Sequence, residues 1–101
     1  AVRLMESHTE SPLRMPAIAR KIGVSPRQLE RLFETWLGVS PIHYYVRLRL
    51  DRARALLRYS SISVFDAGVA CGFTSASHFS RAYRSCFGCS PTTDQRVMFV
   101  R

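Results

Sequence analysis

Acidic residues are scarce in this chain. Seven Asp and Glu stand against fifteen Lys and Arg, a formal net charge of +8 over 101 residues. Lysine is scarcer still, because fourteen of the fifteen basic residues are Arg and only Lys21 is not. No apolar run approaches the ~18 residues of a membrane span, and the first residues do not read as a charged-then-apolar export signal. No stretch alternates apolar and polar residues long enough for a strand and hairpin turn. Cysteine, at three, is too few and odd in number for a disulfide framework. Cys86 and Cys89 form a C-x-x-C, but a zinc site needs about four ligands, and Cys71, His8, His43 and His78 show no second paired spacing. A redox motif would need a strand–helix setting that is missing. No metal and no cofactor is therefore expected, and the cytoplasm is the expected compartment.

What is present is a globular composition, 47% hydrophobic and 22% charged, unlike that of a disordered chain. The length suits one small domain built on a single core. Ala1 in place of Met reads as the start of a piece of something longer. The arginine bias has two readings. A high-GC genome favours Arg, but Arg also carries a planar fork of donors suited to phosphate oxygens and the guanine edge.

The apolar periodicity is helical throughout. Seven segments follow, at about 1–8, 15–22, 26–37, 41–59, 64–71, 76–87 and 91–99, each opened or closed by helix punctuation. Ser25-Pro26 opens the third, with Gln28 completing a capping box. Ser40-Pro41, Ser63, Ser75 and Ser90-Pro91 open the later ones, and Gly38 ends the third. Leu29, Leu32, Phe33, Trp36 and Leu37 form a core stripe on the third segment, and Phe79, Ala82, Tyr83, Cys86 and Phe87 form one on the sixth. In the fourth segment Arg47, Arg54 and Arg58 share a side and read as a solvated or phosphate-facing edge.

An internal repeat organises these segments. Residues 25–41 align without a gap on residues 75–91, at an offset of 50, with Ser25/Ser75, Arg31/Arg81, Gly38/Gly88, Ser40/Ser90 and Pro41/Pro91 identical. Upstream, Ile18-Ala19-x-x-x-Gly23 matches Ala67-Gly68-x-x-x-Gly72 at an offset of 49. The repeat places Cys86 where Trp36 stands and Cys89 where Val39 stands, so the cysteines read as packing residues. Each copy is a short helix, a glycine turn and a second helix opened by a Ser cap, the layout of a helix-turn-helix. The outward faces carry Arg27, Gln28, Glu30, Arg31 and Glu34 in the first copy, and Ser77, His78, Ser80, Arg81, Arg84 and Ser85 in the second. Such side chains near helix N-termini suit bases and phosphates. The segment between the copies, on the order of 27 Å long as a helix, could hold two reading helices about one DNA turn apart, roughly 34 Å.

The chain resembles the C-terminal DNA-binding domain of the AraC/XylS family of bacterial transcriptional regulators. The resemblance rests on Arg27-Gln-Leu-Glu-Arg-Leu-Phe33, on Gly38-Val-Ser-Pro-Ile-His-Tyr-Tyr45 with Arg47-Leu-Arg-Leu-Asp-Arg-Ala-Arg54, and on Ala70-Cys-Gly-Phe73 with Ser77-His-Phe-Ser-Arg81. The wording is most similar to the GlxA-type branch, whose sensor domain is amidotransferase-like. The resemblance implies an all-α domain over 1–101, with helix-turn-helix motifs at 15–37 and 64–87 and a linking helix at 41–59. It implies double-stranded DNA as partner, a contact with RNA polymerase as an activator, no membrane, and an N-terminal domain, absent here, for effector and dimerisation. Its base-contacting positions fall at Arg27, Glu30 and Arg31 and at Ala76, Ser77, His78 and Arg81. Ser25, Gln28, Ser75, Arg84, Arg47 and Arg58 are the candidate phosphate contacts. Glu30 has a second reading, favoured here, as an ion-pair partner that holds Arg27 and Arg31 in place.

Two departures from the family pattern stand out. The family's usual aromatic-Arg ending after Pro91 is replaced by Thr92-Thr-Asp-Gln-Arg96. Gly68 takes the place of an Ala, which predicts a looser second motif that Gly68→Ala would stabilise by about 0.5–1 kcal/mol. The opposite follows if the sixth segment approaches too closely for a Cβ. Two rival functions are disfavoured. An enzyme would need paired carboxylates or a nucleophile with its base, and a membrane binder would need one continuous apolar face with basic flanks.

Overall fold

The computed structural model describes residues 1–99, with side chains through Arg96. Seven helices span them: α1 Val2–Ser7, α2 Met15–Ile22, α3 Pro26–Leu37, α4 Pro41–Tyr59, α5 Val64–Ala70, α6 Ala76–Phe87 and α7 Pro91–Phe99. The described residues contain no strand. The helices start where serine satisfies the free N–H groups of a first turn. Ser25, Ser40, Ser63 and Ser75 each accept from the backbone N–H three residues on, and Ser90 accepts from Thr93 N–H. The Ser25–Gln28 box closes in both directions, at 3.1 and 2.9 Å.

The single core expected from the length is two cores. Met5, Ile18, Ala19, Leu29, Phe33 and Tyr45 form one, around α1, α2, α3 and the start of α4. Leu50, Ala53, Leu57, Ala67, Cys71, Phe73, Phe79 and Tyr83 form the other, around the rest of α4 with α5 and α6. The physical reason is the length of α4. Its 19 residues extend about 28 Å at ~1.5 Å per residue, too far for one cluster of side chains to cover. The result is elongated, 47 × 23 × 22 Å. The repeat explains the division of labour, because Pro41 opens α4 as Pro91 opens α7. The first half of α4 closes unit one, and its second half opens unit two.

The replaced ending after Pro91 docks by polar contacts. Buried Asp94 accepts from the Tyr83 hydroxyl and lies 3.3 Å from Arg54 Nε, while Gln95 Nε2 donates to Ile62 O at 2.9 Å. Arg54, expected on a solvated edge, is instead half covered, with its guanidinium 4.7 Å from the Phe87 ring centroid. Its partners come from α6 and α7, which periodicity along α4 could not reveal. Burial and the Asp94 bond push the Tyr83 phenol up, so it stays neutral and donates.

Gly68 decides between its two readings. A Cβ there would stand 2.8 Å from Phe79 Cδ2 and 3.0 Å from Cγ, overlapping the ring of a residue that is itself only 2% exposed. The reading of a looser second motif gives way to that of close approach: the glycine makes room for the ring. The repeat shows the compensation, since Ala19 faces unit one with Leu29 where unit two has Gly68 with Phe79.

Candidate nucleic-acid interface

Both motifs turn one helix outward. On α3, Leu29 and Phe33 are buried, and Arg27, Gln28, Glu30, Arg31 and Glu34 are exposed. On α6, Phe79 and Tyr83 are buried, and Ala76, Ser77, His78, Arg81 and Arg84 are exposed. All the residues expected to meet bases are therefore on the surface, as are Ser25, Ser75, Arg47 and Arg58. Among the described residues Arg27, Arg31, Arg81 and Arg84 are in no ion pair. Glu30 pairs with neither Arg27 nor Arg31, so the holding role favoured for it is corrected. All three residues are exposed.

The candidate phosphate contacts divide. Ser25 and Ser75 already accept from the N–H groups of Gln28 and His78, and Gln28 Oε1 accepts from Ser25 N–H. Their remaining capacity is one hydroxyl proton each and the Gln28 amide protons. Arg47 is tied to Asp51 at 3.1 Å, which raises its pKa, and lies 5.3 Å from the Phe87 ring centroid. Arg84 has neither restraint. His8 and His43 are occupied locally, by Leu4 O at 2.8 Å and Ser40 Oγ at 3.0 Å.

Three features escaped the sequence. Trp36, assigned to the core stripe, is 78% exposed, and Leu32 and Leu37 are close to half exposed. The stripe gave the direction of these side chains, but the last turn of α3 is left largely uncovered by the described residues. Thr35 joins Arg27 and Arg31 on the outward face, as their spacing of four and eight residues would have shown. Arg49 is the third. It sits four residues after Tyr45 and next to Leu50, a cation on a buried stripe, and its guanidinium reaches the turn between α5 and α6. Burial lowers its pKa, against the opposing effect of Tyr45 and Cys71.

No three His, Cys, Asp or Glu side chains come together as a metal ligand set among the described residues. Among these residues, too, no helix is long and apolar enough to cross a membrane.

A family model described as a helix-turn-helix domain matches residues 18–96. The HTH-type transcriptional regulator CdhR of Pseudomonas aeruginosa is 50% identical over 94 residues, 93% of this chain and 28% of that protein. The regulator GlxA of Rhizobium meliloti is 41% identical over 92 residues, 91% of this chain and 28% of its own. Among solved structures, an AraC-type transcriptional regulator from Chromobacterium violaceum superposes with a TM-score of 0.91 at 48% identity, covering 97% of this chain and 88% of that one. The DNA-binding domain of the global transcriptional factor AdpA, solved with a target DNA, gives a TM-score of 0.88 at 25% identity, covering 95% and 86%. The chain spans under a third of the length of its curated relatives.

Proposed function

This chain belongs to the helix-turn-helix family of AraC-type transcriptional regulators, and from that premise we propose that it binds double-stranded DNA in a sequence-specific way, with α3 and α6 reading adjacent major-groove segments. The observation that carries this reading is the pair of serine-capped helices, each with unpaired arginines on its outward face, joined by one continuous helix. Arg27, Glu30 and Arg31, and Ala76, Ser77, His78 and Arg81, meet base edges. Arg84, Arg47, Arg58 and the capping residues Ser25, Gln28 and Ser75 meet phosphates. A net charge of +8 drives encounter with the duplex.

Residues 15–37 and 64–87 are the two reading motifs, and 41–59 the connector. The domain binds and does not catalyse. In the whole protein, effector response and dimerisation belong to a region outside this stretch, RNA polymerase is a second partner, and the compartment is the cytoplasm. That AdpA's domain was solved with a target DNA supports the choice of partner.

Selection from random duplexes, then footprinting at several salt concentrations, tests the reading. The expected result is a steep salt dependence and two protected major-groove patches about 10 base pairs apart on one face, with one chain bound. A single patch, or protection that needs two chains, overturns it.

A further inference from the structure

The two reading helices hold their second outward residue by different means. In α3 that residue is Gln28, fixed by its own capping box with Ser25. Its counterpart in α6 is His78, whose ring has no hydrogen-bond partner among the described residues. The imidazole instead packs against Phe73, with centroids 5.5 Å apart and planes at 68°. Phe73 lies in the turn before α6, where its ring also packs against buried Phe79 of α6, centroids 5.1 Å apart. Arg49 of α4 lies 4.3 Å over the Phe73 ring. The same guanidinium donates from Nε to Cys71 O at 2.8 Å and from Nη2 to Gly72 O at 2.9 Å.

Arginine suits this place for three reasons. Cys71 and Gly72 follow the end of α5, where the helix dipole favours a cation. Two successive carbonyls need two donors in a fixed fork, which a lysine ammonium does not supply. A guanidinium can also lie flat on a ring while donating in its own plane. The turn itself has no slack. Gly72 has φ +83°, and a Cβ there would meet Thr9 O and Pro12 Cγ at 2.5 Å. Thus the linker helix grips the turn from one side and the segment after α1 closes it on the other.

We infer that Arg49 is a positioning residue for base reading by α6: it acts through Phe73 to fix where His78 stands, so the sequence preference of the second half-site depends on a linker-helix side chain committed to the protein's own turn. The inference rests on the reading above, that α6 faces the duplex.

Two variants test it. Arg49→Lys keeps the charge and loses the fork. Phe73→Leu keeps an apolar side chain in the turn and leaves both carbonyl bonds, so it serves if Arg49→Lys folds poorly. Each is made alone and with His78→Ala. The first measurement needs no DNA: the ring resonances of His78 in the free protein, with His43 as reference. Both single variants should move the His78 signals and leave His43 in place. The second is relative binding to duplexes substituted at each second half-site position. Both should lose about tenfold discrimination at the positions that His78→Ala affects, as expected for ~1.4 kcal/mol, and lose nothing further when His78 is already Ala. Unmoved His78 resonances with an unchanged preference would overturn the inference and leave Arg49 a fastener of the turn. Additive losses in the double variants would also overturn it. If His78→Ala alone leaves the preference intact, the base-reading role of His78 falls, and the resonances still show whether Arg49 places its ring.

Discussion

Unit one and unit two share a backbone plan and solve its packing with different chemistry. Where unit one has Ala19 against Leu29, unit two has Gly68 against Phe79. Where unit one packs Phe33 edge-on to Tyr44 at 5.6 Å, the corresponding residues of unit two are Tyr83 and Asp94, joined by a hydrogen bond. Inward residues have changed in complementary pairs, because a dense interior registers even one methylene. Outward residues show no such pairing. The α3 face mixes Arg27, Glu30, Arg31 and Glu34, while the α6 face is hydroxylic and cationic, with Ser77, His78, Arg81 and Arg84. The difference teaches that the fold constrains partners within each unit and leaves the reading faces to diverge.

The sharpest way to break the comparison is to make the same change in both units. Asp94→Leu strips the buried Tyr83 hydroxyl of its acceptor and half-covered Arg54 of its ion-pair partner, and should cost about 3 kcal/mol. Tyr44→Leu, at the corresponding place, loses an edge contact and should cost about 1 kcal/mol. Urea melts of the two variants should therefore differ clearly, and equal midpoints would refute the contrast.

Gly68→Ala should lower stability by about 2 kcal/mol, because the new methyl overlaps Phe79. Adding Phe79→Leu rebuilds the Ala–Leu pair of unit one and should recover part of that loss. A thermal melt in which Gly68→Ala is the more stable protein would restore the idea of a loose second motif.

Binding should separate the two faces next. Arg27→Ala should cost about 1–2 kcal/mol and relax preference at one or two base positions of the first half-site. Arg84→Ala should weaken all sequences alike and reduce the salt slope by about one. A selected sequence unchanged by Arg27→Ala would remove it from base reading. The smallest effect belongs to Trp36→Ser, which should change stability by less than about 0.5 kcal/mol, because the ring is 78% exposed.

The helices were legible in the sequence to within a residue, because serine caps, glycine stops and apolar spacing all act locally. The outward placement of Arg27, Arg31, Ser77, His78 and Arg81 was legible for the same reason. What escaped depended on neighbours distant in sequence. Arg54 looked solvated until α7 supplied Asp94, and Trp36 looked buried because helical spacing gives a side chain's direction and not what lies there. The split core followed from the length of α4 set against the reach of side chains. Gly68 was legible in part, since the repeat pairs Gly–Phe with Ala–Leu, but only the approach of the Phe79 ring to its backbone gave the sign.

Trp36 is the chain's one tryptophan and stands on the first reading helix, where the second has Cys86. The molecule therefore carries an intrinsic fluorophore in one half alone. Its emission in the free domain should be that of an indole in water, and any blue shift or quenching on mixing with duplex reports on α3 and its surroundings. Comparing that optical signal with a measure of total binding would time the arrival of unit one separately from that of unit two, without a label.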